Sequence, residues 1–168
     1  VIKSLKKQID SLTTSPLAGF GANSVYLSKH DINVMYVAFN HHKFGDFKPY
    51  VFISQDQGRN WKSIAGDLPT DTIVWVIKQD HVDENLLFIG TEFGIWATNV
   101  GTSGTPNWAE ANTGKVTSTP FPRVPVFEIV QVKEKPWSGA KIYAGTHGMG
   151  FWESSSLLTN VKETSNKS

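Results

Sequence analysis

Along the chain, short apolar stretches alternate with breaks made of Gly, Pro, Asn and Asp. The stretches at residues 34–39, 50–53, 73–77, 86–89, 126–130 and 142–144 are filled by β-branched and aromatic side chains. Runs of this length and make-up, bounded by turn formers, predict strands rather than helices. Helical spacing occurs only in residues 1–12, where Ile2, Leu5, Ile9 and Leu12 would share one face. So short a helix needs a surface to pack on. Residues 163–168 are polar with no anchoring apolar side chain, and such a tail is expected to fray.

The strands recur as a unit. Asn33-Val34-Met35-Tyr36-Val37-Ala38-Phe39 aligns with Asn85-Leu86-Leu87-Phe88-Ile89-Gly90-Thr91, and again with Ala140-Lys141-Ile142-Tyr143-Ala144-Gly145-Thr146. Each copy is followed by a second apolar run (49–54, 93–98, 149–154) and preceded by a third (24–28, 72–78, 125–132). A period of roughly 50 residues with three or four strands per unit is that of propeller blades. Each such sheet must bury its faces against a neighbour. The expected organisation is an N-terminal segment over 1–22, blades over 23–71 and 72–124, a closing partial blade over 125–157, and a flexible tail over 158–168.

Composition narrows the function classes. The 168 residues are 39% hydrophobic, 12% aromatic and 18% charged, with a net charge of +1 and no Cys. A nearly neutral chain whose only Arg residues are Arg59 and Arg123 has no field for drawing in nucleic acid or an anionic membrane. The apolar runs are too short to span a bilayer, and residues 1–12 do not read as a signal peptide. Without Cys there are no disulfides and no thiolate metal sites. No cofactor is implied, and no phosphate-cradling loop, Gly-x-Ser-x-Gly or His-Glu-x-x-His motif occurs.

One motif is specific. Ser54-Gln55-Asp56-Gln57-Gly58-Arg59-Asn60-Trp61 has the form Ser-x-Asp-x-Gly-x-x-Trp. Asp56 can accept from nearby backbone N–H groups, Gly58 tolerates positive φ, and Trp61 can plug a seam between sheets. The segment resembles an Asp-box, or BNR repeat, at the hairpin between the third and fourth strands of a blade. A degenerate copy at 99–108 keeps Gly101, Gly104 and Trp108, and the third unit has only Glu153-Ser154-Ser155. Further landmarks are Phe39-Asn40-His41-His42, Gly45-Asp46-Phe47-Lys48-Pro49-Tyr50, Thr91-Glu92-Phe93-Gly94 and Gly145-Thr146-His147-Gly148-Met149-Gly150-Phe151-Trp152. Together these resemble the C-terminal blades of sortilin-like BNR-repeat propellers, bacterial proteins often labelled glycosyl hydrolases, over about residues 20–155. Met149 stands where members of that group usually carry Arg.

The resemblance implies an all-β fold of about three antiparallel blades, belonging to a longer propeller, because three blades cannot close a ring. The remaining blades would come from the same longer chain or from another chain. It also implies an extracellular or periplasmic location and a glycan or protein ligand.

Asp56 reads as a structural turn residue, with Ser54, Gly58 and Trp61 as its companions. Trp61, Trp75, Trp96, Trp108 and Trp152 recur at blade period and read as inter-blade packing, whereas Trp137 stands apart in a loop. His41, His42 and Asp46 have a metal-suited composition, but adjacent strand residues face opposite ways, so a shared ion would need the insert at 40–49 to form a loop. No metal site is assigned. His147 and Glu92 occupy equivalent positions after Gly-Thr and pair as ligand-binding candidates, with His41 and His42 beside them. Glu128 interrupts an apolar innermost strand, where burial would be costly unless paired, so it either points into a wet central channel, the favoured reading, or marks a functional surface.

Glu92, Glu128 and Asp46 are the nominal catalytic carboxylates, although no spacing selects a pair. A sialidase would need an arginine triad that two Arg residues cannot supply. The favoured reading is a non-catalytic binding or scaffold module. The alternative is part of a sialidase-like or xyloglucanase-like glycoside hydrolase whose catalytic carboxylates lie partly outside this chain.

Overall fold

In a computed structural model, residues 21–99, 104–111, 121–133 and 140–154 are described. The expected N-terminal helix, Trp137 and the tail at 158–168 lie outside the described residues. What is described is all-β: three antiparallel sheets, each a simple meander.

The first sheet contains β1 (Gly21–Leu27), β2 (Met35–His41), β3 (Asp46–Ser54) and β4 (Lys62–Ser63). The second contains β5 (Val74–Gln79), β6 (Leu87–Thr91), β7 (Gly94–Thr98) and β8 (Ala109–Glu110). The third contains β9 (Val126–Lys133), β10 (Ala140–Thr146) and β11 (Phe151–Ser154). The first strands β1, β5 and β9 run side by side at the inner edge of their sheets and touch in succession.

Strand alternation sends every second side chain to the neighbouring sheet. Tyr36, Ala38, Val51 and Ile53 of the first sheet meet Val74, Ile77, Leu87 and Ile89 of the second, with Trp108 closing the seam. Val76, Phe88, Ile95 and Ala97 of the second sheet meet Val126, Ile129, Ile142 and Ala144 of the third. The apolar material therefore forms seams between sheets. Each fully buried Ile or Leu there contributes about 1.5–3 kcal/mol. The outer face of the third sheet is open among the described residues, leaving Val130 (48%) and Phe151 (71%) exposed.

The repeat extends to a defect in the ladder. In β1–β2 the register jumps between Ala22 and Ser24, in β5–β6 between Val74 and Val76, and in β9–β10 Val126 and Glu128 flank the same jump. Each inner strand thus carries one extra residue at the same place: Asn23, Trp75 and Phe127. A bulge of this kind re-aims its side chain out of the regular pleat.

The loop expected over residues 40–49 is much shorter. β2 continues through His41 and β3 begins at Asp46, leaving a 3-10 turn, His42–Phe44, closed by Gly45 at φ 77°. The polar residues that looked like an insert join the ladder after a register shift beyond Phe39, with His41 pairing across to Asp46.

Candidate functional site

Every candidate binding or catalytic residue lies at one end of the sheets, the end where the inner strands begin. The β2–β3 turn carries His41, His42 and Asp46, the β6–β7 hairpin carries Glu92, and the β10–β11 turn carries His147. Glu128 follows the bulge in β9. The last two connections are built alike. Glu92 N–H donates to Ile73 O and His147 N–H to Pro125 O, while the Thr91 and Thr146 hydroxyls donate to the carbonyls of Gly94 and Gly150.

The bulges connect these groups. The Trp75 ring stands edge-on to His42 of the first sheet, centroid to centroid 5.4 Å, and to Phe127 of the third at 4.9 Å. Phe127 in turn meets His147 at 5.7 Å. Trp75 Nε1 donates to Glu92 Oε2 at 2.9 Å, which holds the indole upright. An aromatic track, His42–Trp75–Phe127–His147, therefore crosses three sheets along one rim. Phe127 and His147 are exposed, and Trp75 and Glu92 are partly so.

Of the predicted residues, His42, Glu92 and His147 are brought together on this track. His41 and Asp46 are not. His41 is buried with its ring 4.5 Å from Phe44, and its Nδ1 is 3.9 Å from Asp46 Oδ2. Asp46 accepts from the Tyr50 hydroxyl at 2.6 Å and from Lys48 N–H at 3.2 Å. Partial desolvation works to raise the Asp46 carboxyl, but these hydrogen bonds and the nearby Lys48 and His41 outweigh it and hold the carboxyl below its ordinary range. Burial, followed by the bond to Asp46, pushes the Tyr50 hydroxyl up. Glu128 is exposed and paired with Lys78 Nζ at 2.9 Å. Among the described residues, no three His, Asp or Glu side chains converge as metal ligands would.

Sequence reasoning passed over Phe127 and placed Trp75 only in the packing set. Trp75 does touch both neighbouring sheets, but at their rim. The available signal was the alignment of the inner strands, in which one extra residue per strand puts Asn23, Trp75 and Phe127 at a common position.

At the opposite end, the Ser-x-Asp-x-Gly-x-x-Trp segment links β3 to β4. Asp56 Oδ1 accepts from Arg59 N–H, Asn60 N–H and the Ser54 hydroxyl at 2.8–2.9 Å, and Oδ2 from Asn60 Nδ2 at 2.6 Å. Ser54 Oγ accepts from Gly58 N–H at 2.8 Å, and Trp61 Nε1 donates to Gly58 O at 3.1 Å. The Asn60 backbone N–H first, against a smaller cost of desolvation, then the Asn60 and Ser54 side chains and Arg59 N–H hold the Asp56 carboxyl down to about 2.

No family model matches the chain, and no curated protein does. Among solved structures the chain is similar to a GH74 enzyme from Niastella koreensis. The likeness has a TM-score of 0.53 at 16% sequence identity and covers 81% of this chain and 21% of that one. The chain thus spans about a fifth of that enzyme's length. At this identity the likeness concerns the fold: the three sheets are arranged as the blades of a β-propeller.

Proposed function

We propose that these sheets are consecutive blades of a larger secreted or periplasmic propeller of the sortilin-like BNR type, and that their bulge rim is part of a glycan-binding surface. The carrying observation is the track His42–Trp75–Phe127–His147 with Glu92 fixed beside it. Sugar rings offer apolar faces and hydroxyl edges. Partly exposed aromatic rings flanked by imidazole and carboxylate groups match both. The open outer face of the third sheet supports the presence of further blades, since each seam between described sheets buries such a face.

Binding without catalysis is the better reading for these residues. Glycoside hydrolysis needs two carboxyls across the scissile bond, one of them held protonated. Asp46 is held anionic, while Glu92 and Glu128 are engaged by Trp75 and Lys78. The likeness to a GH74 enzyme favours a second reading, in which the rim is the wall of a hydrolase cleft whose acid and base lie in other blades.

The test is calorimetric titration of soluble β-glucans and their oligosaccharides into the chain and its Trp75→Ala and Phe127→Ala variants. A loss of about tenfold in affinity is expected for each, because an aromatic contact beyond its area contributes about 0.5–1.5 kcal/mol. Absence of glycan binding, or binding indifferent to both substitutions, would sink the proposal. Turnover that disappears with Glu92→Gln would transfer the case to the hydrolase reading.

A further inference from the structure

The opposite end of the inner strands contains a separate cavity of about 220 Å3, where β1, β5 and β9 finish. Its floor is apolar, formed by Phe88, Ile129 and Ile142, all almost wholly buried. Its walls are polar and firmly held. Ser28 Oγ donates to Gln79 Oε1 at 2.6 Å, and Gln79 Nε2 donates to Glu84 O at 2.8 Å. His81 N–H donates to Gln131 Oε1 at 2.8 Å, and Gln131 Nε2 to Asp80 Oδ2 at 2.6 Å. His30 Nε2 donates to Asp80 O at 2.7 Å.

Two lysines, Lys78 and Lys29, line this space. Lys78 has structural work: Nζ bonds Glu128 at 2.9 Å and stands 5.7 Å from the centre of the Tyr26 ring. Lys29 does not. Its Nζ rests 2.9 Å from His81 Nε2, and among the described residues no carboxylate is within ion-pair reach of it. The buried acid Asp80 is already satisfied, with Oδ1 accepting from Val82 and Asp83 N–H and Oδ2 from Gln131. Ordering a lysine costs up to about 2 kcal/mol of side-chain entropy, and a neutral imidazole returns less than a carboxylate would. The cationic lining over an apolar floor therefore has the chemistry to take an anion with an apolar body.

We infer that this cavity is a binding site for a compact organic carboxylate. The acid group is held by Lys29 beside His81, with a second ammonium hydrogen from Lys78, and the body of the ligand lies on Phe88, Ile129 and Ile142. The volume is below the 300–1,000 Å3 usual for larger ligands, so the occupant is small. The site lies at the far end of the inner strands from the aromatic rim and does not depend on the rim's role.

The probe is benzoate, followed through the amide resonances of the 15N-labelled chain, with benzamide as its neutral isostere and inorganic phosphate as an anion without an apolar body. Benzoate is expected to move the His81, Gln131 and Ile129 amides with a Kd on the order of 1 mM. Benzamide and phosphate should each bind at least about tenfold more weakly, as should benzoate to Lys29→Met, because a charged hydrogen bond is lost. Lys29 is exposed, so this variant keeps the fold, and Lys78→Met serves as the second arm. No shift with benzoate, equal binding of benzamide or phosphate, shifts confined to the rim, or an unchanged affinity in Lys29→Met would each overturn the assignment.

Discussion

Gly90 and Gly145 hold the same place in the repeat, one in β6 and the other in β10, yet their surroundings differ. At Gly90 a Cβ would lie 2.5 Å from Val126 O, on the inner strand of the third sheet that packs over it, and 2.6 Å from Cγ1 of its own cross-strand partner Val76. At Gly145 the nearest atoms belong to Glu128 of its own sheet, at 3.7 Å and beyond. One glycine is required by the sheet packed on it. The other keeps the same clearance without using it among the described residues. The first copy has Ala38 at this place, buried against the second sheet, so the repeat keeps a small residue at each copy and only neighbouring structure shows whether a following sheet lies over it. The difference also accounts for the contrast in exposure, since the face around Gly90 is core and the face around Gly145 leaves Val130 and Phe151 in solvent.

The comparison can be broken most forcefully in the seams. Ile89→Ala removes a fully buried side chain and should cost about 2–5 kcal/mol in urea unfolding, whereas Val130→Ala on the open face should stay within about 0.5 kcal/mol. Equal losses would mean that the outer face of the third sheet is covered in solution. Next comes the glycine pair itself. Gly90→Ala forces a methyl against backbone and should cost about 1–3 kcal/mol, while Gly145→Ala should be neutral within about 0.5 kcal/mol. A Gly145→Ala variant as damaged as Gly90→Ala would show that another sheet lies over Gly145.

The smallest effect sharpens a parallel contrast, between the complete turn at 54–61 and the acid-free copy at 99–108. Asp56 titrates from about 2 in the folded chain against an ordinary 3.8, so its contribution is present above about pH 4 and lost as the pH falls towards 2. Asp56→Asn should flatten that acid limb of the stability curve and leave the neutral side parallel to the parent. An unchanged acid limb would show that the turn's hydrogen bonds to Asp56 do not persist in solution.

Much of the architecture was legible in advance because strands and seams follow from local pattern. Alternation over Tyr36-Val37-Ala38-Phe39 already assigns opposite faces to neighbours, and the recurrence of Gly-Thr at 90–91 and 145–146 marks two equivalent turns. The rim was only half legible. Glu92 and His147 could be paired by their common position, and His42 by its turn. The track that joins them rests on Trp75 and Phe127, two ordinary aromatic residues within apolar runs. A one-residue bulge leaves composition and periodicity almost untouched, so nothing local distinguishes an extruded Trp from a packed one. Asp46 went the other way: its sequence suggested a polar loop with no metal assigned, and strand pairing with His41 and the bond from Tyr50 absorbed it into the sheet.

By itself, then, the sequence determined the strands, their grouping into three repeated sheets, and the turn chemistry around Asp56, because these depend on side-chain alternation and on hydrogen bonds within a few residues. Tertiary structure alone decided which glycine is crowded, which aromatic residues meet on the rim, and that Lys29 and Lys78 line one cavity. Those outcomes depend on distances between sheets about 50 residues apart in the chain, and separations of that kind are set by how seams pack rather than by any local pattern.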